Sequence, residues 1–167
     1  MRLADARDLP AIVDIYNEAI ADRNATGDTS PVSIDDRAAW LREHTPDAYP
    51  VFVADTGNRV VGWCSLSPYR PGRMALRRTA EISYYVARDS RGTGVGAALI
   101  AHAIGQCPAL GLRTLFAIVL DINPGSPQLL GKFGFAEWGR LPGVAEFDGV
   151  ECGHLYYGLR VAPGPDH

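Results

Sequence analysis

Cysteine and long apolar runs are both scarce in this chain of 167 residues. Its three cysteines, Cys64, Cys107 and Cys152, lie far apart and form no CxxC or Cys/His ligand set, so we predict neither a disulfide scaffold nor a zinc site. The first residues carry charges throughout, and no segment approaches about 18 uninterrupted apolar residues, so neither a signal peptide nor a membrane span is expected. We therefore expect a cytoplasmic protein without a metal.

A surplus of basic residues is also lacking. The chain has 16 Lys and Arg against 19 Asp and Glu, a net charge of -3, so we expect no nucleic-acid or membrane partner. Hydrophobic residues make up 47% of the chain and charged ones 21%, which are ordinary globular values that argue against disorder. We predict one domain over residues 1–162 and a frayed tail over 163–167, with small molecules or proteins as partners.

Two helices are predicted near the start of the chain. Ile12 and Ile15 begin an apolar repeat at helical spacing after Asp8, which we expect to be the N-cap. Ser33 precedes Asp36 by three residues and is the predicted cap of a second helix, IDDRAAWLREH.

From Pro50 the pattern changes to that of strands. VFVAD and RVVGWCSLSPY are joined by the turn TGN, which predicts a hairpin. In TAEISYYV the side chains of Glu81, Ser83 and Tyr85 share one face, and the residues between them share the other. A helix GVGAALIAHAIGQ, a strand LRTLFAIVL, a short helix PQLLGKF and two strands near FAEWGRL and CGHLYYGLRV follow. This order predicts a mixed α+β sheet in a single domain.

Three tryptophans, Trp40, Trp63 and Trp138, lie in apolar-patterned segments. An indole buries a large apolar area, so we predict that all three belong to the core rather than to a ligand platform. Cys152 is predicted to be a buried, unactivated thiol.

The segment RGTGVG places glycines at 92, 94 and 96, between a predicted strand and an apolar helix. At a helix N-terminus the first amide N–H groups lack partners and carry partial positive charge, which favours a phosphate. Glycine lets the backbone approach that anion closely and adopt a positive φ. We therefore predict a phosphate-binding loop.

Three kinds of phosphate loop have to be distinguished. A Walker loop needs GxxxxGK[ST], whose lysine and hydroxyl are absent here. A dinucleotide fingerprint needs GxGxxG after the first strand of a βαβ unit, whereas the spacing here is GxGxG and about 80 residues of helix and hairpin precede it. The pattern [RQ]xxGx[GA] is matched by Arg91, Gly94 and Gly96.

Several segments together resemble the GCN5-related N-acetyltransferases (GNAT), and within them the phosphinothricin and methionine sulfoximine acetyltransferases. They are IYNEAI at 15–20, ATGDTSPVS at 25–33, TAEISYYV at 79–86, RGTGVG at 91–96, NPGS at 123–126 and KFGF at 132–135. The resemblance covers nearly the whole chain and implies a homodimer with the GNAT fold, in which helices flank both faces of a mostly antiparallel sheet. It also implies acetyl-CoA as cosubstrate, bound by Tyr84, Tyr85, Val86, Arg91, Gly92, Thr93, Gly94, Val95, Gly96, Ala97, Asn123 and Ser126.

The resemblance further implies roles in acetyl transfer to an amine. Glu81 matches the family's strand glutamate and is the predicted general base, acting through a water. The backbone N–H of Val86, or of its neighbour Tyr85, is the predicted oxyanion donor. Arg70 and Arg73 match a basic pair that would bind an amino-acid-like substrate together with Glu81, because a guanidinium pairs with two carboxylate or phosphinate oxygens.

These charged residues also have ordinary structural interpretations. Glu81 would then be a strand carboxylate paired with Arg77 or Arg78, and Arg70 and Arg73 would be solvated charges on a loop. The sequence leaves both interpretations open.

The chain departs from the family's pattern at several positions. Gly27 replaces an aromatic residue that lines the amine pocket, and Leu76 replaces a tyrosine. Leu130 stands where the superfamily often has a tyrosine, and closer relatives a histidine, that protonates the leaving thiolate. The segment GVECGHLYYG lacks the family's tryptophan and aspartate and offers Glu151 and His154 instead, and we interpret His154 as a packed or hydrogen-bonded strand residue. These departures affect the acceptor more than the cofactor.

We therefore expect an N-acetyltransferase that transfers the acetyl group of acetyl-CoA directly to the amine of a small amino acid or amino-acid analogue. One alternative is a GNAT enzyme for another amine, such as a polyamine, an aminoglycoside or a protein N-terminus. A second is an acyl-CoA-binding domain without catalysis, which Leu130 favours. A nucleotide-binding Rossmann module is a third.

Overall fold

The computed structural model describes residues 1–161, and one seven-stranded sheet runs through them. The strand order is β1-β2-β3-β4-β5-β7-β6, and every neighbouring pair is antiparallel except β4 and β5. The predicted frayed tail, residues 163–167, lies outside the described residues. The strands are β1 (Arg2–Leu3), β2 (Val51–Asp55), β3 (Val60–Pro68), β4 (Thr79–Val86), β5 (Thr114–Leu120), β6 (Ala136–Phe147) and β7 (Val150–Arg160).

Helices cover both faces of this sheet, as predicted. Leu99 and Ile100 of the third helix pack on one face, whereas Ile12 and Ile15 of the first helix pack with Trp63 on the other. No helix among residues 1–161 combines the length and the apolar character needed to cross a membrane. The helices are α1 (Leu9–Asp22), α2 (Ile34–Glu43), α3 (Val95–Gln106) and α4 (Gly125–Gly131), with single 3-10 turns at Ala6–Asp8, Met74–Leu76 and Arg88–Ser90.

The two predicted helix caps have different outcomes. The hydroxyl of Ser33 accepts a hydrogen bond from the backbone N–H of Asp36 at 3.2 Å, so the predicted cap of α2 is confirmed. Asp8 is the N-cap residue of α1, as predicted, although its side chain makes no capping hydrogen bond there. Both of its carboxylate oxygens instead accept hydrogen bonds from Arg2 at 2.8 Å, because β1, a strand that the sequence did not indicate, brings the guanidinium alongside.

The core prediction is confirmed for Trp63 and wrong for Trp138. Trp63 is 1% exposed, whereas Trp138 on β6 is 47% exposed. Its indole covers the backbone of Gly158 on β7, where an added Cβ would collide with the ring, and the Trp138 ring packs edge-on against Phe116 with ring centres 5.3 Å apart. The apolar pattern therefore marks a sheet face that α1 and α2 do not cover.

The sheet divides between β4 and β5. These parallel strands pair only from Thr79 to Glu81 on β4 and from Thr114 to Phe116 on β5. Beyond Glu81, β4 stays paired with β3, and β5 stays paired with β7 along its whole length. A gap therefore opens in the sheet beside residues 82–86, directly before the glycine segment.

The glycine at position 62, on β3, should tolerate no side chain. An added Cβ would lie 3.0 Å from the carbonyl oxygen of Tyr85, 3.0 Å from Val95 Cγ1 and 3.1 Å from Leu99 Cδ1. We predict that Gly62→Ala lowers the free energy of unfolding by about 1–3 kcal/mol, measured by urea denaturation, because overpacking forces β3 and α3 apart. Gly105→Ala is the matched control: in exposed space on α3 it should raise that free energy by about 0.5–1 kcal/mol. Equal effects of the two substitutions would contradict the packing.

Candidate active site

The start of α3 offers a row of unpaired backbone donors. Gly92 and Gly94 have left-handed backbones, with φ of 76° and 94°. The N–H of Ala98 donates to the carbonyl of Gly94 at 3.0 Å, and no side chain caps the helix. Within residues 1–161 the amides of 92–97 donate to no protein acceptor. Because free N–H groups at a helix start carry partial positive charge, this segment is built to receive an anion.

A cleft of about 490 Å³ lies between this segment, the open edge of β4 and the start of α4. Thr93 and Val95 do not line it: the Thr93 hydroxyl donates to the carbonyl of Ser90 at 2.6 Å, and Val95 packs against the core. The predicted cofactor contact of Thr93 and Val95 is therefore left to their backbone amides, because their side chains point away from the cleft. The predicted residues that do line the cleft are Tyr84, Tyr85, Val86, Arg91, Gly92, Gly94, Gly96, Ala97, Asn123 and Ser126.

Part of the cleft wall is formed by residues that the sequence did not indicate. Asn24 and Ala25 follow Arg23, whose left-handed backbone, with φ of 58°, ends α1 beside the glycine segment. Their position depends on how α1 packs on the sheet, so no local pattern indicates it. Leu129 and Lys132 come from α4 and the residue after it. Lys132, a cation shortly after the NPGS segment, is the one that the sequence could have indicated.

Arg91 holds the glycine segment in place. Its guanidinium donates to Asp22 at 2.6 Å and to the carbonyl of Val86 at 3.1 Å, and Arg88 donates to the other oxygen of Asp22, also at 2.6 Å. Burial alone would raise the pKa of the Asp22 carboxyl, but the hydrogen bonds from Arg91 and Arg88 outweigh it and lower that pKa. Asp22 therefore stays ionised and ties the end of α1 to the loop.

The hydrogen bonds of β4 decide which backbone groups face the gap. The N–H of Ala87 donates to Val61, and the carbonyl of Thr79 accepts from Tyr69, so odd-numbered residues of β4 bond to β3. Because strand residues alternate, the even-numbered ones turn their backbone groups toward β5, which has diverged beyond Glu81. The amide of Val86 therefore faces the gap, whereas that of Tyr85 is directed to β3.

The side chains of β4 separate in the predicted way. Ile82 is buried in the cluster below α3, against which Tyr84 and Val86 also pack, whereas Tyr85 packs against the cluster below α1. Glu81 shares the face of Tyr85 by the strand alternation. In the described part of the chain Glu81 makes no ion pair, so the predicted alternative of an arginine partner is not what the structure has. Burial raises the pKa of its carboxyl.

The two family segments nearest the start of the chain meet on the α1 face. The Tyr16 hydroxyl, from IYNEAI, donates to Asp28 at 2.7 Å and lies 2.7 Å from the Thr26 hydroxyl, both from ATGDTSPVS. The side chain of Asn17 bonds in both directions to the backbone of Val32, at 2.9 and 3.1 Å. These contacts fix the loop between α1 and α2 beside β4.

A guanidinium that the sequence did not single out lies on the same face. Arg37 of α2 stacks on Tyr16, with its Cζ 4.0 Å from the ring centre, and Tyr16 in turn packs edge-on against Tyr85 at 4.9 Å. Within residues 1–161 Arg37 forms no ion pair, and its buried Nε has no hydrogen-bond partner. Arg37 therefore places a guanidinium without an ion-pair partner among the described residues on the α1 face, close to Tyr16.

Arg70 and Arg73 lie apart from the large cleft. Both are exposed, on the loop between β3 and β4, where they line a smaller hollow of about 280 Å³ with Tyr49 and Tyr69. Tyr69 stacks on Phe116, the strand partner of Glu81, with ring centres 4.9 Å apart. The arginine loop thus borders the end of β4 that carries Glu81.

The residues that differ from the family's pattern range from fully buried to exposed. Leu130 is fully buried in the core, and Leu129 takes the place beside the cleft. Gly27 is exposed with open space around its Cα, and Leu76 is 39% exposed. Cys152 is 5% exposed, and burial raises the pKa of its thiol, in agreement with the prediction of an inert side chain.

The arrangement joins three chemical capacities. Amides of 92–97 suit an anion such as a diphosphate, and the exposed backbone of Val86 suits an extended, amide-containing chain. Glu81 supplies a carboxyl that has no ion pair among residues 1–161 and whose pKa is raised by burial, which favours its use as a proton acceptor. Among residues 1–161 there is no cluster of three or more His, Cys, Asp or Glu side chains that would hold a metal.

Comparison with known proteins gives one consistent result. Residues 12–135 match the profile of the Acetyltransferase (GNAT) family. YwnH of Bacillus subtilis (strain 168), provisionally called a phosphinothricin acetyltransferase, is 45% identical over 150 residues, which span 89% of this chain and 91% of the relative. The L-methionine sulfoximine/L-methionine sulfone acetyltransferase of Pseudomonas aeruginosa (strain PAO1) is 35% identical over 147 residues, or 87% of this chain and 85% of that one.

A solved structure agrees in fold and in sequence. The GNAT superfamily phosphinothricin acetyltransferase from Sinorhizobium meliloti, in complex with AcCoA, superposes with a TM-score of 0.91 at 31% identity. The match covers 98% of this chain and 89% of that one.

Proposed function

Since the chain belongs to the GNAT acetyltransferase family and transfers an acetyl group from acetyl-CoA to an amine, we propose that this amine belongs to a small amino acid or a close analogue of one. The observation that supports the proposal most directly is the Glu81 carboxyl, which, like Arg37, Arg70 and Arg73 nearby, has no ion pair among residues 1–161. The gap beside residues 82–86 of β4 extends from the glycine segment, residues 92–97, toward the end of β4 that carries Glu81.

The residues of the large cleft fit acetyl-CoA. Six consecutive amides, 92–97, lack protein partners, and open space surrounds the Cα atoms of Gly92 and Gly94, so a diphosphate would meet no side chain there. Lys132 adds a positive charge to the wall. When bound, acetyl-CoA supplies an acyl group activated as a thioester.

This chain's own residues then provide the acid–base and electrostatic parts of the reaction. Glu81 removes a proton from the attacking amine through a water, because the nitrogen must lose a proton as it forms the amide. The N–H of Val86 donates to the acyl oxygen as negative charge develops there, an interaction that can be worth about 3 kcal/mol. The loop from Gly27 to Asp28 and the arginine loop border the space that the acceptor enters.

Recognition of an amino-acid acceptor requires a positive partner for its carboxylate. Arg70 and Arg73 are the proposed pair, since a guanidinium forms two parallel hydrogen bonds with a carboxylate. Arg37 adds positive charge on the α1 side of the same face. This charge opposes cationic acceptors such as polyamines.

Homodimer formation and a cytoplasmic location stay predictions. Exposed apolar side chains on β6, β7 and the adjoining turn support the first, because such a surface is suited to a second copy of the chain. They are Ile122, Trp138, Leu141, Val144 and Val150.

Gly94→Asp should block the cofactor segment. The new carboxylate lies among the free amides and repels a diphosphate, so we expect affinity for CoA in isothermal titration calorimetry to fall at least about tenfold. Gly57→Asp is the matched control, because Gly57 has a similar left-handed backbone, with φ of 88°, and equally open surroundings outside the cleft. Unchanged affinity in Gly94→Asp would remove the segment from the cofactor site.

Glu81→Gln should abolish the acid limb of the pH profile. In the wild type kcat rises with pH as the Glu81 carboxyl ionises, and because burial raises the pKa of that carboxyl the rise comes at higher pH than for an exposed glutamate. Glutamine accepts no proton, so kcat should fall by roughly 10²–10⁴-fold and lose that rise, while CoA affinity stays the same. Glu146→Gln, far along β6, should keep the wild-type profile. A wild-type pH profile in Glu81→Gln would exclude Glu81 as the base.

An acceptor panel tests the proposed substrate class. Amino acids and their sulfoximine or phosphinate analogues should release free thiol from acetyl-CoA faster than polyamines, aminoglycosides or peptides do. Arg70→Gln with Arg73→Gln should raise KM for the anionic acceptors about tenfold or more and leave KM for acetyl-CoA unchanged. Arg42→Gln on α2 serves as the control. Preference for a cationic amine would contradict the proposal, as would CoA binding without thiol release from any amine.

A further inference from the structure

The imidazole of His44 is held at both of its ring nitrogens. His44 follows the last residue of α2, Glu43, and its ring packs against that of Trp40 with ring centres 4.4 Å apart. Nδ1 lies 2.8 Å from the carbonyl oxygen of Trp40, and Nε2 lies 3.1 Å from the hydroxyl oxygen of Ser67 on β3. The end of α2 is therefore joined to β3 through one oriented ring.

These two contacts determine where the protons lie. A carbonyl oxygen only accepts hydrogen bonds, so the proton of the neutral His44 ring is on Nδ1. Nε2 then carries a lone pair and accepts the hydroxyl proton of Ser67. Because a serine hydroxyl has one proton and two lone pairs, Ser67 can offer a further partner only its lone pairs.

Ser67 lies directly beside the predicted base. The register of β3 and β4 pairs Ser67 with Glu81, and paired side chains leave the sheet on the same face with Cβ atoms about 4.5–5.5 Å apart. On its other side Glu81 is paired with Phe116, whose ring has no hydrogen-bonding group. Of the two residues paired with Glu81, only Ser67 thus carries a polar side chain, and its hydroxyl is an acceptor.

The space beside Ser67 and Glu81 is accessible to a ligand. Both residues are partly exposed, and among residues 1–161 no hydrogen bond joins their side chains. β3 ends one residue later, at Pro68, and the loop with Arg70 and Arg73 follows. The proposed carboxylate-binding loop therefore starts at the same end of β3 as Ser67.

Acetyl transfer needs a nitrogen whose lone pair is aimed at the acyl carbon. An ammonium group has three N–H bonds, and after Glu81 has taken one proton through a water, the others have to be held so that the freed lone pair points at the acyl group. We propose that Ser67 accepts a hydrogen bond from the acceptor's nitrogen, and that His44 keeps the hydroxyl oriented for this by binding its proton. Ser67 is then a substrate contact and His44 a positioning residue. This inference rests on the proposed function, since it needs an amine acceptor beside Glu81.

The same arrangement distinguishes the two ends of an amino acid. A carboxylate has only acceptor oxygens, so it finds no proton at Ser67 and is repelled by the carboxylate of Glu81. The nitrogen has N–H donors for both groups. Ser67 and Glu81 therefore favour the orientation that places the nitrogen beside β4 and the carboxylate at Arg70 and Arg73.

Ser67→Ala tests the inference through acceptor binding. For the amino acid that the wild type acetylates fastest, we expect KM to rise about tenfold, because a hydrogen bond from its nitrogen is lost, while KM for acetyl-CoA stays unchanged. The inhibition constant of the same molecule without its amino group should not change, since that molecule has no N–H donor for Ser67. Thr56→Ala is the matched control, because it removes a single hydroxyl hydrogen bond from the turn between β2 and β3.

Two further variants separate positioning from packing. Ser67→Thr retains the hydroxyl, so it should keep KM for the amino acid close to the wild-type value. His44→Ala should raise this KM, and the double variant of His44→Ala with Ser67→Ala should be no worse than Ser67→Ala alone, because His44 acts only through the hydroxyl.

Nitrogen NMR of the His44 ring gives a readout that is independent of activity. In the wild type we expect the neutral ring to carry its proton on Nδ1, with Nε2 as a hydrogen-bond acceptor. In Ser67→Ala the Nε2 signal should move to the position of an acceptor without a hydrogen bond, whereas Thr56→Ala should leave it in place.

Three results would overturn the inference. Equal losses of affinity for the amino acid and for its analogue without nitrogen would mean that Ser67→Ala acts through packing. Additive losses in the double variant would mean that His44 acts independently of Ser67. A neutral ring with its proton on Nε2 would leave the Ser67 proton free. In each case the wild type still acetylates its amino acid, whereas a wild type that acetylates no amino acid would contradict the proposed function itself.

Discussion

Loss of pairing between β4 and β5 after Glu81 is the constraint on which the site depends. A strand inside a sheet normally exchanges hydrogen bonds on both sides, and buried backbone groups without partners are costly. Here the even-numbered residues at the end of β4 face a gap, and the loop and first turn of α3 that follow have six amides, 92–97, without a protein partner among residues 1–161. One break in the sheet thus creates a continuous row of backbone donors and acceptors that only a ligand or water can satisfy.

The rest of the structure keeps that gap open and orders it. Asp22 at the end of α1 binds the arginines on either side of the loop, so the first helix is tied to the phosphate segment. Gly96 lets α3 approach α4, since an added Cβ would lie 3.2 Å from Leu129. Side chains alternate between the two faces of β4. Tyr84 packs on the α3 side and lines the large cleft, whereas Glu81 shares the α1 face with Tyr85.

The sequence predicted correctly those parts of the fold and the site that depend only on residues close together in the chain. The strand over residues 79–86, the Ser33 cap and the glycine turn all follow from backbone preferences within a few residues. Contacts that depend on packing over long distances gave no such signal. Arg37 and Asn24 reach the site only because α1 and α2 dock on the sheet, and the Asp8 carboxylate binds Arg2 rather than the helix start because β1 supplies that partner. Trp138 was misplaced because an apolar pattern does not reveal which sheet face stays uncovered.

Amide hydrogen exchange, measured by NMR with and without CoA, tests directly whether the unpaired backbone amides bind CoA. We predict that the amides of residues 92–97 and of Val86 exchange rapidly in the free protein and become strongly protected when CoA is added. The amide of Ala87, which is already paired, should change little. Rapid exchange of the same amides in the presence of saturating CoA would contradict it.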